Sequence, residues 1–167
     1  MTARELLEVN GDFGPSSPIM RTVRKVHDAC ERIKAPYCIV GGLAVVRNGA
    51  PRTTQDVDVL IARADWERLC GEESPFVAEG DHATDPESGI AIDALFPGDE
   101  WEMAVPLPPP DEIAEYDERL GAQFGSLRAM LEIKTAVYLK KRAEDGEAIA
   151  AKDVADVVAL IEHHGPQ

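Results

Sequence analysis

Two aspartates, Asp56 and Asp58, stand two residues apart in "DVDVLIA", a run that otherwise reads as a buried strand. On a strand, residues two apart share a face at ~6.5–7 Å. Two carboxylates so placed among apolar residues repel each other and are costly to desolvate. A bound cation removes both penalties. Hard carboxylate oxygens suit Mg²⁺ or Mn²⁺, and Mg²⁺ commonly takes phosphate oxygens as further ligands. The plainer reading is an alternating strand with one face in water. A third acid, Asp93, lies among Ile90, Ile92, Leu95 and Phe96 in "GIAIDALF". If its strand neighbours the first, Asp56, Asp58 and Asp93 make a site for a pair of ions ~3.5–4 Å apart. Periodicity alone does not place Asp93 beside the other two.

Upstream, "YCIVGGLAVVRNG" reads as strand, Gly41-Gly42 turn and short helix. Backbone N–H groups at a helix start attract phosphate, and glycine lets a ligand come close. A tight turn explains the same two residues. Between the glycines and the acids, "PRTTQ" is a basic, hydroxyl-rich turn. Its Arg52 could contact phosphates or pair with the aspartates, and Thr53 and Thr54 could simply shape the turn. In "SLRAMLEIKTAVYLKKRA", Lys134 sits three and four residues from Leu131, Met130, Val137 and Tyr138, on the inward stripe of a helix. Its i−4 and i+4 neighbours, Met130 and Tyr138, cannot pair with it. An unpaired buried ammonium costs several kcal/mol. Unless Lys134 snorkels to water, it needs an anion: one of the three aspartates or a bound phosphate.

The elements that would position these groups follow from periodicity. Residues 1–18 form a loose or partly helical arm. "IMRTVRKVHDACERI" repeats apolar residues at helical spacing, and Pro36 ends the helix. "RADWERLCG" is a short helix, and "FVAEGD" and "GIAIDALF" are strands. "WEMAVPL" is a candidate edge strand, since Pro106 cannot donate to a ladder, and "PLPPPDE" is a loop. Two helices, roughly Ser126–Ala143 and Ala148–His163, close the chain. The order implies a mixed sheet with flanking helices in one α/β (α+β) domain spanning 1–167.

The formal net charge of −14 argues against nucleic acid, whose affinity rests largely on Lys and Arg. No apolar run approaches the ~20 residues that span a bilayer, and "MTARELLEVNGDFG" has no secretory h-region. Three scattered cysteines without a CxxC pair read as reduced cytoplasmic thiols.

The strand followed by Gly41-Gly42, then "RTTQDVD", then a lone aspartate on a later strand resembles the nucleotidyltransferase superfamily. The pattern is most similar to its minimal bacterial branch, which includes abortive-infection and toxin–antitoxin enzymes. The resemblance runs from Tyr37 to Ile61, returns at Ile90–Phe96, and returns in the last two helices. It implies a Pol-β-like palm in which Asp56, Asp58 and Asp93 hold Mg²⁺ and a nucleoside triphosphate. It also implies that the glycines and a nearby hydroxyl, here that of Thr54, lie on the phosphates, that Lys134 reaches the site, and that a Lys-Asp pair, here Lys152-Asp153, opens the last helix; Arg52 keeps its two readings, phosphate contact or pairing with the aspartates. The activity implied is transfer of a nucleoside monophosphate to a hydroxyl acceptor that the sequence does not identify, with an antitoxin-like protein as a possible partner. The alternative is a non-catalytic domain of the same fold that binds a nucleotide or a protein.

Overall fold

The structure, a computed structural model, describes residues 13–50, 53–103 and 105–164. Among them the order is α1 (Pro18–Ile33), β1 (Tyr37–Val40), α2 (Gly41–Arg47), β2 (Val57–Ile61) and α3 (Arg63–Leu69). Then come β3 (Val77–Glu79), β4 (His82–Thr84), β5 (Ala91–Leu95), α4 (Pro110–Ile113), β6 (Ala114–Asp117) and β7 (Ala122–Gly125). The helices α5 (Leu127–Asp145) and α6 (Glu147–His164) finish the chain. The seven strands form one mixed sheet in the order β3-β4-β5-β2-β1-β7-β6. β1 pairs antiparallel with β2 and parallel with β7, and β2 pairs parallel with β5.

The centre of the sheet is its most apolar part. Every residue of β1 is buried, as are Val57, Val59, Leu60 and Ile61 of β2. Strands covered on both faces need continuous apolar runs, and "YCIV" and "VLI" supply them. Helix α1 starts where its sequence allows: Pro18 sits in the first turn and the Ser17 hydroxyl accepts from Met20 N–H at 3.3 Å. It stops three residues before Pro36, because Lys34 turns left-handed (φ 56°) and its N–H closes on Cys30 and Glu31 carbonyls. At the other end of the chain, the Ser126 hydroxyl caps α5 and Gly146 (φ 87°) alone separates α5 from α6. Burial pushes the thiols of Cys30 and Cys38 up to about 12. No described helix is long and apolar enough to cross a membrane.

Three details differ from the sequence expectation. The described part of "WEMAVPL" is not a strand; it is a turn whose Leu107 exchanges hydrogen bonds with Gly98 and Asp99. The expected loop "PLPPPDE" runs into the short helix α4, and unassigned chain supplies β4 and the β6–β7 hairpin, whose strands are three or four residues long and too short to show a period. Residues 1–12 of the expected arm lie outside the described residues.

A buried acid ties α1 to the β4–β5 turn. Asp85, 1% exposed, accepts from Thr22 Oγ1 at 2.7 Å, Lys25 Nζ at 2.9 Å and Glu87 N–H at 3.0 Å. Burial alone would raise its pKa, but these donors outweigh it and hold the carboxyl down at about 2. An unfolded aspartate titrates near ~3.9. The unfolded chain therefore takes up this proton first as the pH falls, so the stabilisation is complete above that value and fades toward pH 2. Urea unfolding of Asp85→Asn should show a loss of roughly 2 kcal/mol at pH 7, with the gap to wild type narrowing as the pH drops below about 4. A constant gap down to pH 2 would mean that the charge of Asp85 contributes nothing.

Candidate active site

The register places two acids side by side. Asp58 on β2 stands opposite Asp93 on β5, and on its other flank opposite Val40 of β1. Partners across parallel strands point to the same face, so the two carboxylates share one side of the sheet. Both residues are half-buried. Asp56 is not in β2; it occupies a bend one residue before the strand. The two-residue spacing therefore does not fix its direction, and the Thr54 hydroxyl donates to its Oδ1 at 3.3 Å. Arg52 lies outside the described residues.

Gly41 follows β1 directly, opens α2 with φ 64°, and is buried together with Gly42. A Cβ added at Gly41 would overlap the Asp58 carboxylate. Here the space that glycine leaves is filled by a protein carboxylate, so the residue serves Asp58 directly. Helix α2 is in turn fixed at its far end. Arg47 Nε donates to Asp117 Oδ2 at 2.9 Å, and Asn48 Nδ2 donates to Gly125 O at 3.0 Å. The β6–β7 hairpin thereby holds the helix that begins beside Asp58.

Asp93 has a further neighbour that the sequence reading did not select. His82 on β4 stands opposite it, and His82 Nδ1 lies 2.5 Å from Asp93 Oδ1. The hydrogen bond to Asp93 raises the His82 pKa above its ordinary value. The signal was present: Gly80-Asp81 and "DPESG" are turn signals bracketing "HAT", which makes a hairpin whose register sets His82 against Asp93.

Lys134 is 6% exposed, as its inward position predicted, but its partners are others than expected. Its ammonium lies 3.3 Å from Asp153 Oδ1 and 3.3 Å from Asp156 Oδ2, both on α6. Lys141 reaches Asp153 from the other side at 3.2 Å and also meets Glu102 at 3.2 Å. Burial alone would lower the Lys141 pKa, but its hydrogen bonds to Asp153 and Glu102 raise it. Lys152 and Asp153 do not open the last helix as the resemblance implied: α6 begins at Glu147, and Asp153 lies in its second turn. The anion expected for Lys134 is thus a pair of acids on the neighbouring helix.

Among the described residues, no three His, Cys, Asp or Glu side chains are grouped so as to hold a metal ion. The adjacent pair Asp58 and Asp93 does fit the usual Mg²⁺ arrangement, which draws on one or two carboxylates and completes its shell with water and substrate phosphates.

No protein-family model matches the chain, and no curated protein matches it in sequence. Solved structures do match in fold. An antigenic nucleotidyltransferase-like protein from Paracoccidioides brasiliensis aligns with a TM-score of 0.61 at 18% identity, over 91% of this chain and 79% of that one. ANT(2'')-Ia, solved in complex with adenylyl-2''-tobramycin, aligns with a TM-score of 0.55 at 16% identity, over 87% of this chain and 89% of that one. The chain has the fold of the nucleotidyltransferase superfamily: a mixed sheet with flanking helices.

Three substitutions test these contacts. Gly41→Ala forces a side chain onto the Asp58 carboxylate at a left-handed residue, and should cost at least ~1–2 kcal/mol in urea unfolding. Gly80→Ala, also left-handed (φ 62°) but with no atom near the added Cβ, isolates the backbone part of that cost. An equal loss at the two positions would remove the close-approach argument. Lys134→Met takes one ammonium from two buried carboxylates, of which Asp153 keeps Lys141, and should cost roughly 1.5–3 kcal/mol. A variant as stable as wild type would show that the ion cluster does not hold α5 to α6.

Proposed function

We propose that this chain transfers a nucleoside monophosphate from a nucleoside triphosphate to a hydroxyl acceptor, with Mg²⁺ or Mn²⁺ as cofactor. The observation that supports it is the pairing of Asp58 with Asp93 on one face of a nucleotidyltransferase-type sheet. When bound, a divalent ion would neutralise charge on the triphosphate and on the departing pyrophosphate. Asp58 and Asp93 would bind that ion and so orient the triphosphate. The acceptor oxygen forms a bond to the α-phosphorus, and the bond from that phosphorus to the pyrophosphate oxygen breaks. We assign the acceptor's proton to Asp93, and Asp56, Gly42, Thr54 and Arg52 to the triphosphate side of the site. Lys134 takes no direct part in this scheme, because Asp153 and Asp156 hold it.

ATP is the first triphosphate to test, since the ANT(2'')-Ia complex carries an adenylyl product. The net charge of −14 favours a cationic small molecule over a nucleic acid as acceptor. A second reading, nucleotide binding without transfer, draws on Lys134: a lysine that the sequence resemblance brings to the site is held instead within an ion cluster.

Calorimetry with Mg²⁺ and ATP should show binding that Asp58→Asn weakens by about tenfold or more, as loss of a charge-assisted contact predicts. Incubation with α-labelled ATP and a panel of hydroxyl acceptors should release pyrophosphate and label the acceptor. Binding without pyrophosphate release supports the second reading, and absence of binding removes both.

A further inference from the structure

The outer strand of the acidic row carries an exposed side chain whose only strong contact, among the described residues, is to the site. His82 opens β4, three residues long, and faces Asp93 in an antiparallel pair. Ala94 N–H donates to the Asp81 carbonyl at 2.8 Å. That bond flanks the His82–Asp93 pair, which therefore exchanges no ladder hydrogen bonds of its own. Such pairs bring their Cα atoms to about 4.5 Å and their side chains closest together. The result is the 2.5 Å contact between His82 Nδ1 and Asp93 Oδ1. The His82 side chain is 73% exposed and that of Asp93 31% exposed. As a surface ion pair this contact adds little to stability.

Its place in the row gives it another use. Asp93 has Asp58 on one side and His82 on the other, on three adjacent strands. An aspartate carboxylate turns easily about its last torsion, and the charge of Asp58 favours turning it away. A donor on the β4 side fixes one oxygen there and leaves the second for the β2 side. We propose that His82 is a positioning residue: its Nδ1–H holds Asp93 Oδ1 so that the other oxygen of Asp93 is presented, together with Asp58, to a divalent cation carrying the triphosphate. Nδ1 bears a hydrogen in the imidazolium and in one neutral tautomer alike, so the role needs no change of protonation. It rests on the reading of Asp58 and Asp93 as ion ligands, which is tested separately. Hydrogen-bond partners of ligating carboxylates commonly alter metal affinity by 10–100-fold.

The experiment titrates Mn²⁺ into the full chain with ATP present and records the melting temperature of each variant. His82→Leu removes the donor. His82→Asn keeps one, since its amide nitrogen can reach the same oxygen. Expected are a roughly tenfold or greater loss of Mn²⁺ affinity in His82→Leu with the melting temperature unchanged, and recovery of most of that loss in His82→Asn. Unchanged affinity in His82→Leu overturns the inference, as does a His82→Asn variant no better than His82→Leu. A melting temperature that falls in step with affinity makes the residue structural and overturns it too. If wild type binds Mn²⁺ with ATP and Asp58→Asn weakens or abolishes that binding while His82→Leu leaves its affinity unchanged, only the role of His82 fails. If wild type binds no Mn²⁺ with ATP, the ion-ligand reading fails and the inference goes with it.

Discussion

Two like charges are held side by side at the middle of this sheet, and much of the structure around them follows from that. Asp58 and Asp93 cannot slide apart, because their strands are locked by apolar neighbours. Val57, Val59, Ile61 and Ile92 are all 0% exposed, and a slip of one residue would exchange one of those buried positions for a carboxylate. At the strand spacing of ~5 Å, two unit charges repel by about 3 kcal/mol at an effective dielectric constant of ~20. Relief must come from side-chain rotation, from donors, or from a cation. Gly41 gives the Asp58 carboxylate its space, and His82 gives Asp93 its donor. A cation is the third of these sources of relief, and the closeness of two carboxylates is the physical ground for proposing that the site takes a divalent ion.

The remaining elements hold this row in place from both directions. Helix α2 leaves β1 at Gly41, packs on β1 and β2, and touches α5. Its C-terminal end is held by the β6–β7 hairpin through Arg47 and Asn48. Helix α5 is joined to α6 along its length and through the Lys134–Asp153–Asp156 cluster. The end of α6 returns to the turn after α2, where a side chain at Gly49 would overlap the His163 ring. The chain's last helix thus reaches the segment that leads to Asp56 and Asp58. On the far side of the row, Asp85 secures the β4–β5 turn to α1 and so supports the hairpin that carries His82.

How legible this was in the sequence depended on burial. "YCIV" and "VLI" are covered on both faces and announce themselves as apolar runs. The stripe of α1 and the Ser126 cap of α5 are equally local signals. The short outer strands are not: "HAT" buries only Ala83, and "AEYD" buries none of its four residues. Strands this short and exposed carry little alternation to read. Spacing suggested that Asp56 shares a face with Asp58, but β2 begins at Val57, so a period-two argument does not extend to Asp56. The adjacency of Asp58 and Asp93 is a matter of register across a crossover, to which periodicity is blind. Lys134 was legible as inward, while its partners were not, since Asp153 and Asp156 meet it only once α6 folds back along α5.

The central claim is that Asp58 and Asp93 act on one ion, and a double-mutant cycle tests it most directly. Mn²⁺ affinity in the presence of ATP is measured for wild type, Asp58→Asn, Asp93→Asn and the double variant. If both carboxylates reach the same ion, removing the second costs much less once the first is gone, and the coupling should exceed ~1 kcal/mol. Single losses that simply add in the double variant would show two independent charges, and would contradict the account.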